Sequence, residues 1–202
     1  MEFLLIAGAH FLALLSPGPD FFLILQTALR MRIQYAIAVC AGIAAANAVY
    51  LTIAVLGLEV VREMHLIMQV LRYLGSGYLI YIGFLLLRSP KRTFESQENT
   101  SILRKKKISY QFGLGFSSAI LNPKNAIFYL SLFTAMVSAE TGLGTRILYA
   151  LWMTSVVLCW DIAIATAVGN TAAKRALGKW IFGLEKISGG MLAMFGVLLV
   201  FD

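Results

Sequence analysis

The chain has 202 residues, of which 59% are hydrophobic and only 13% charged, and its formal net charge is +7. A soluble domain carries about 25% charge, so this composition excludes an ordinary soluble enzyme and points to a polytopic membrane protein. The positive excess does not indicate nucleic acid, because it is concentrated in connections between apolar runs.

A spanning helix needs about 20 mostly apolar residues, and six runs meet or approach that length. The first is Phe3–Leu29. It reads as a retained span and not a signal peptide, because Glu2 stands where a basic region would precede one. "SPGPD" (16–20) stands where a small-residue cleavage site would fall. The others are Ala36–Leu58, Leu66–Leu87, Phe112–Val137, Ile147–Val168 and Ile187–Phe201. The last is short but suffices for an untilted span. Six spans consume nearly the whole chain and leave no room for a soluble catalytic domain.

Thirteen of the seventeen Lys and Arg residues lie in three connections. Arg30 and Arg32 follow the first span. Arg88, Lys91, Arg92 and Arg104 through Lys107 follow the third. Lys174, Arg175, Lys179 and Lys186 follow the fifth. The alternate connections hold only Arg62 and Arg146. Positive residues stay on the cytoplasmic side, so the three basic connections are expected inside and both termini outside.

The third and sixth spans align without gaps. "LRYLGSGYLIYIGFLLL" (71–87) matches "LEKISGGMLAMFGVLLV" (184–200), with Gly77 on Gly190 and Gly83 on Gly196. Glycines at one phase let helices approach closely. The fourth span echoes the first: "LSPGPDFFL" (15–23) aligns with "LNPKNAIFY" (121–129), placing Pro17 on Pro123. The expected fold is therefore all-α, with six transmembrane helices arranged as two three-helix repeats in one transporter domain, 1–202. The halves run about 1–88 and 110–202, joined by a basic cytoplasmic loop, 89–109. Three is odd, so the second half enters the membrane from the opposite side, as in many secondary transporters.

Proline removes a backbone donor and disfavours helix in the residue before it. Ser16-Pro17 and Asn122-Pro123 therefore each read as a stop and restart, with Ser16 and Asn122 as N-caps and proline at the first helical position. Pro17 lies about 14 residues into its span and Pro123 about 11, near the centre at ~1.5 Å per residue. Each half-helix start presents unsatisfied N–H groups and partial positive charge. Such a break is tolerated only where protein packs it or it lines a wet cavity. A single proline kink is ordinary packing; a matched pair, each with a charge beside it, reads as a carboxylate-binding site.

Asp20 falls in the first turn after one break, where the dipole favours it, and Lys124 in the first turn after the other, where it needs an anionic partner. Asp20 and a substrate carboxylate are the candidates. Asp161 and Asn47 lie mid-span, and ionisable groups at that depth face a cavity or a partner. Asp20 and Asp161 are the expected proton carriers; Asn47 is read first as a helix–helix hydrogen-bonder and second as cavity lining. His10 reads as a satisfied packing residue, and Gln111 and Arg72 as interfacial.

At these residues the sequence resembles the LysE/RhtB family of bacterial amino-acid exporters. The resemblance rests on "SPGPDFF" (16–22), "GIAAANAVY" (42–50), "GYLIYIGFLLLR" (77–88) and "NPKNAIFY" (122–129), in order along the whole chain. It implies a six-helix inner-membrane protein that exports amino acids or their derivatives, with proton antiport. It maps the family's PGPD residues onto Pro17, Gly18, Pro19 and Asp20, and its NPK residues onto Asn122, Pro123 and Lys124. The second span of the family commonly carries an aspartate where this chain has Asn47, which holds no proton. SPGPDFF is most similar to the homoserine/threonine branch.

A zwitterion suits the expected site: half-helix N-termini and Lys124 for its carboxylate, Asp20 or Asp161 for its ammonium. A channel would show a continuous polar stripe, and none is found. A thiol–disulfide carrier would use Cys40 and Cys159, but neither lies beside a break or charge that would activate it. No HExxH, GxSxG or aspartate dyad suggests an enzyme, and no cofactor or metal is expected. The expected partners are a small zwitterionic substrate, the lipid bilayer and, as a homodimer, a second copy of the chain.

Overall fold

Every regular element among the described residues is helical. The computed structural model describes residues 2–15, 18–61, 64–88, 106–138, 140–168, 183, 186–198 and 200. The elements are α1 (Glu2–Leu14), α2 (Pro19–Arg30), α3 (Ile33–Val61), α4 (His65–Arg88), α5 (Ile108–Ile120), α6 (Pro123–Met136) and α7 (Leu143–Ala167). They are followed by α8 (Lys186–Leu198). Ser16, Pro17, residues 89–105 of the basic loop, the Lys174–Lys179 cluster and Phe201 lie outside the described residues, as do the side chains of Arg72 and Pro123.

Both proline motifs interrupt a helix. α1 and α2 are bent by 56° relative to one another, and α5 ends at Ile120 before α6 starts at Pro123. Ile33–Leu58 and Leu143–Ala167 are each long and apolar enough to cross a membrane, and the bent α1–α2 pair makes a third such unit. α4 and α8 contain the shorter apolar stretches Tyr73–Leu85 and Lys186–Leu198. Large apolar side chains face outward all round, among them Leu4, Leu56, Leu66, Leu74, Leu148, Leu151 and Leu198. A water-soluble monomer does not expose apolar surface on that scale; this is a helical membrane protein.

The core falls into two apolar clusters. One holds Ile6 and Ala9 of α1, Leu51 and Leu58 of α3, Phe128 and Leu132 of α6, and Met153 of α7. The other holds Ile24 of α2, Val39 and Ile43 of α3, Ala119 of α5, and Val157 and Ile164 of α7. α3 therefore runs from the second cluster to the first, while α7 runs from the first to the second. The broken helices are opposed in the same way, α1–α2 leading out of the first cluster and α5–α6 into it.

Small residues set the closest approaches. A methyl at Gly42 of α3 would strike the backbone of Phe112 and Phe116 in α5, and one at Gly115 would strike Val39 in α3. Tyr35 Oη donates to the Lys106 carbonyl at one end of this seam and Tyr50 Oη to the Ile120 carbonyl at the other, so α3 and α5 run parallel. α1 and α7 are also parallel, with Phe3 against Trp152 at 5.2 Å and Phe11 against Trp160 at 5.4 Å between ring centroids. α4 and α8 cross antiparallel. A methyl at Gly83 would lie 2.6 Å from the Gly189 carbonyl and the Ala193 nitrogen, and one at Gly196 would lie 2.6 Å from the Ser76 carbonyl and 2.9 Å from the Ile80 nitrogen. In the alignment of these two helices Ser76 falls on Gly189 and Ile80 on Ala193, so the two contacts are the same contact seen from either side. Gly77 and Gly190 differ from the expectation: among the described residues a methyl there meets nothing within 4 Å. They sit at the same phase in sequence, but the crossing point lies elsewhere on both helices.

Gln111, expected at an interface, is wholly buried, as is Arg146 near the start of α7. The start of α1 is tied to the α6–α7 connection, where the Glu2 carboxylate accepts from the Ser138 N–H at 2.9 Å and from Thr141 Oγ1 at 2.9 Å.

Candidate functional site

The second break follows the cap chemistry read from the sequence. Asn122 is the N-cap of α6, Pro123 takes the first position, and the Asn122 side chain accepts from the Lys124 N–H at 3.1 Å. Helix α5 stops two residues earlier and leaves carbonyls without helical partners. Tyr50 of α3 donates to that of Ile120, so a protein group satisfies backbone that lipid would leave stranded. Tyr78 of α4 donates to the Lys124 carbonyl in the first turn of α6 at 3.2 Å.

The first break differs from the expectation. α2 starts at Pro19, not Pro17, and its N-cap is Gly18 with extended backbone (φ −111°, ψ −171°) and no side-chain cap bond. The motif has two prolines, and the second holds the first helical position; the residue before it is extended for the usual steric reason. The breaks therefore correspond as Gly18-Pro19-Asp20 to Asn122-Pro123-Lys124, a register two residues away from the sequence alignment. In that register opposite charges occupy the same position of the two half-helices.

Asp20 reaches across to the other break. Its carboxylate accepts from Ser118 Oγ at 2.6 Å, from Asn125 Nδ2 at 2.8 Å and from Asn122 Nδ2 at 3.4 Å. Three neutral donors, from the end of α5, the cap and the first turn of α6, hold one carboxylate from α2. Charge-assisted bonds of this kind are about twice as strong as neutral ones. Ser118 and Asn125 were not among the expected site residues. Their signal was in the sequence as polar side chains on either side of Asn122-Pro123, in "SSAILNPKN" (117–125).

Both half-helix starts open on one cavity of about 80 Å³. At roughly 10–15 Å³ for each water-sized group, it holds a handful of such groups, the scale of a small amino acid. Six expected site residues line it: Gly18, Asp20, Asn47, Asn122, Lys124 and Asp161. Asn125, Tyr129, Trp160 and His10 join them. Pro19 starts α2 and is not part of the lining. Asn47 is buried and lines the cavity, and its Oδ1 has no hydrogen-bond partner among the described residues. His10 was expected to be satisfied. It packs against the rings of Tyr129 and Trp152 at 5.9 and 6.0 Å, yet neither ring nitrogen has a partner among the described residues. Cys40 is buried, Cys159 is exposed, and both thiols are free. Among the described residues no cluster of side chains could hold a metal ion.

Known proteins resemble the chain over nearly its full length. The threonine efflux protein of Escherichia coli (strain K12) is 31% identical over 205 residues, 99% of this chain and 98% of its own. The threonine efflux protein of Salmonella typhimurium is 28% identical over 204 residues, with the same coverage. An uncharacterized membrane protein of Haemophilus influenzae is 26% identical over 198 residues, 96% of this chain and 93% of its own. No solved structure is a significant match. The family model described as LysE type translocator matches residues 11–202, a stretch that contains both proline breaks and every described residue of the cavity wall except His10. The chain thus belongs to the LysE type translocator family, as a membrane transporter and not an enzyme.

Proposed function

We propose that the chain exports a small zwitterionic amino acid or derivative, of the homoserine or threonine type, across a bacterial inner membrane by proton antiport. One observation carries the reading: two half-helix starts, one from each half of the chain, line a single small cavity that also holds Lys124 and Asp161. A zwitterion needs cationic and N–H groups at one end and an anion at the other. Lys124 and the helix starts serve its carboxylate. Asp161 serves its ammonium, because the Asp20 carboxylate is already engaged by three donors. Asp20 and Asp161 are the groups that would carry the coupling proton. The named activity of the threonine efflux proteins agrees with this reading.

The transporter reading takes the chain as six spans in two inverted halves, both termini outside, able to pair as a homodimer. The opposed courses of α3 and α7, the parallel pairs α3–α5 and α1–α7, and the reciprocal glycine contacts of α4 and α8 support that arrangement. Cells that overproduce the chain should resist toxic levels of threonine or homoserine and lose labelled amino acid faster than controls. An uncoupler should abolish the difference. Unchanged efflux across a panel of small amino acids would sink the reading; efflux indifferent to the proton gradient would sink the coupling alone.

A further inference from the structure

His10 is wholly buried in α1, in the wall of the cavity, and both its ring nitrogens lack a hydrogen-bond partner among the described residues. The large majority of buried side-chain polar atoms find a partner, and an unmade bond in a dry site is costly. A leucine or phenylalanine would fill the same space between Tyr129 and Trp152 without that cost. The imidazole therefore makes sense only if something in the cavity uses it.

The chemistry of the ring says what that is. A neutral imidazole offers one donor and one acceptor, on different nitrogens. An ammonium only donates and a carboxylate only accepts, and each charged end of a zwitterion already has a counterpart in Asp161 and Lys124. The unpartnered Asn47 Oδ1 is a further acceptor, suited to the ammonium beside Asp161. A hydroxyl both donates and accepts, so it can pair with the ring in either tautomer. We infer that His10 reads the side-chain hydroxyl of the transported zwitterion and is the residue that selects hydroxylated substrates over analogues without the hydroxyl. The inference rests on the amino-acid export reading and adds to it the residue that sets specificity.

Threonine and valine test it, because they differ by a hydroxyl in place of a methyl. The full chain would be purified, reconstituted in liposomes, and assayed for transport of each amino acid with wild type, His10→Phe and His10→Gln. A site built to bond a hydroxyl rejects the analogue that lacks it by orders of magnitude, so wild type should prefer threonine by at least about 100-fold. His10→Phe should bring the two within about threefold, mainly by raising the half-saturating concentration of threonine. His10→Gln restores a donor and an acceptor and should keep at least about a tenth of the preference. Wild type that carries valine as well as threonine overturns the inference, whether or not the phenylalanine variant accumulates. So does a His10→Phe protein that keeps the preference, or one that loses both activities equally at normal abundance. Wild type that carries no amino acid at all would overturn the export reading itself.

Discussion

Asp20 was legible as a charge beside one break and Asn122 as the cap of the other, but that the two meet was not. Sequence placed it in a half-helix first turn, and the structure keeps it there, but two of its partners, Ser118 and Asn122, lie about 100 residues away in the chain, at separations of 98 and 102. Nothing local announces that Ser118 turns inward. Three neutral donors reach the Asp20 carboxylate from the other break, enough to hold it when residue 124 carries no charge. Lys124→Met should leave abundance near wild type while substrate affinity falls by about 10- to 150-fold, the value of one bond to a charged group at ~1.5–3 kcal/mol. Immunoblots of membranes beside labelled efflux would check both halves of that statement. Ser118→Ala and Asn125→Ala should each cost about 1.5–3 kcal/mol of stability. Either loss should shrink in an Asp20→Asn background, where the bonds are no longer charge-assisted; thermal melts of the four combinations would test the coupling.

The helices themselves followed from apolar run length and from proline, and the limits of that logic appear at the glycines. Four glycines at matched positions in α4 and α8 looked equivalent in sequence. Two of them, Gly83 and Gly196, meet opposing backbone, and two, Gly77 and Gly190, meet nothing among the described residues. Leucine at Gly83 or Gly196 should therefore drive the helices apart, at a cost of more than the ~1–3 kcal/mol typical of overpacking, because backbone cannot rotate away as a side chain can. Leucine at Gly77 should be tolerated. Membrane-inserted yield and a monodisperse elution profile would separate the two classes, and equal behaviour would count against the α4–α8 crossing. The half-helix starts repeat the lesson. Proline content located both breaks, but with two prolines in SPGP the starting residue of α2 depends on which of them the cap geometry uses, and that is Pro19.

At the scale of the molecule, the expected topology is still the firmest handle on the inverted arrangement. A reporter inserted at Gln97 should read as cytoplasmic and one placed after Asp202 as external, by the distribution of positive charge. A cytoplasmic signal at both sites would require an odd number of changes in the span count. The alternation of apolar runs, the charge bias and the two proline motifs determined by themselves that this is a helical membrane protein with two helices interrupted at proline. They also marked six residues that meet in one cavity, because lipid imposes strong constraints on single segments: enough apolar length, no stranded backbone, and no charge without a reason. Only the tertiary structure decided how the breaks correspond, that Asp20 is clasped by the opposite half, and that His10 stands in the cavity wall with no partner among the described residues. Those facts depend on which faces of distant helices come together, and close packing, which no local pattern encodes, selects those faces.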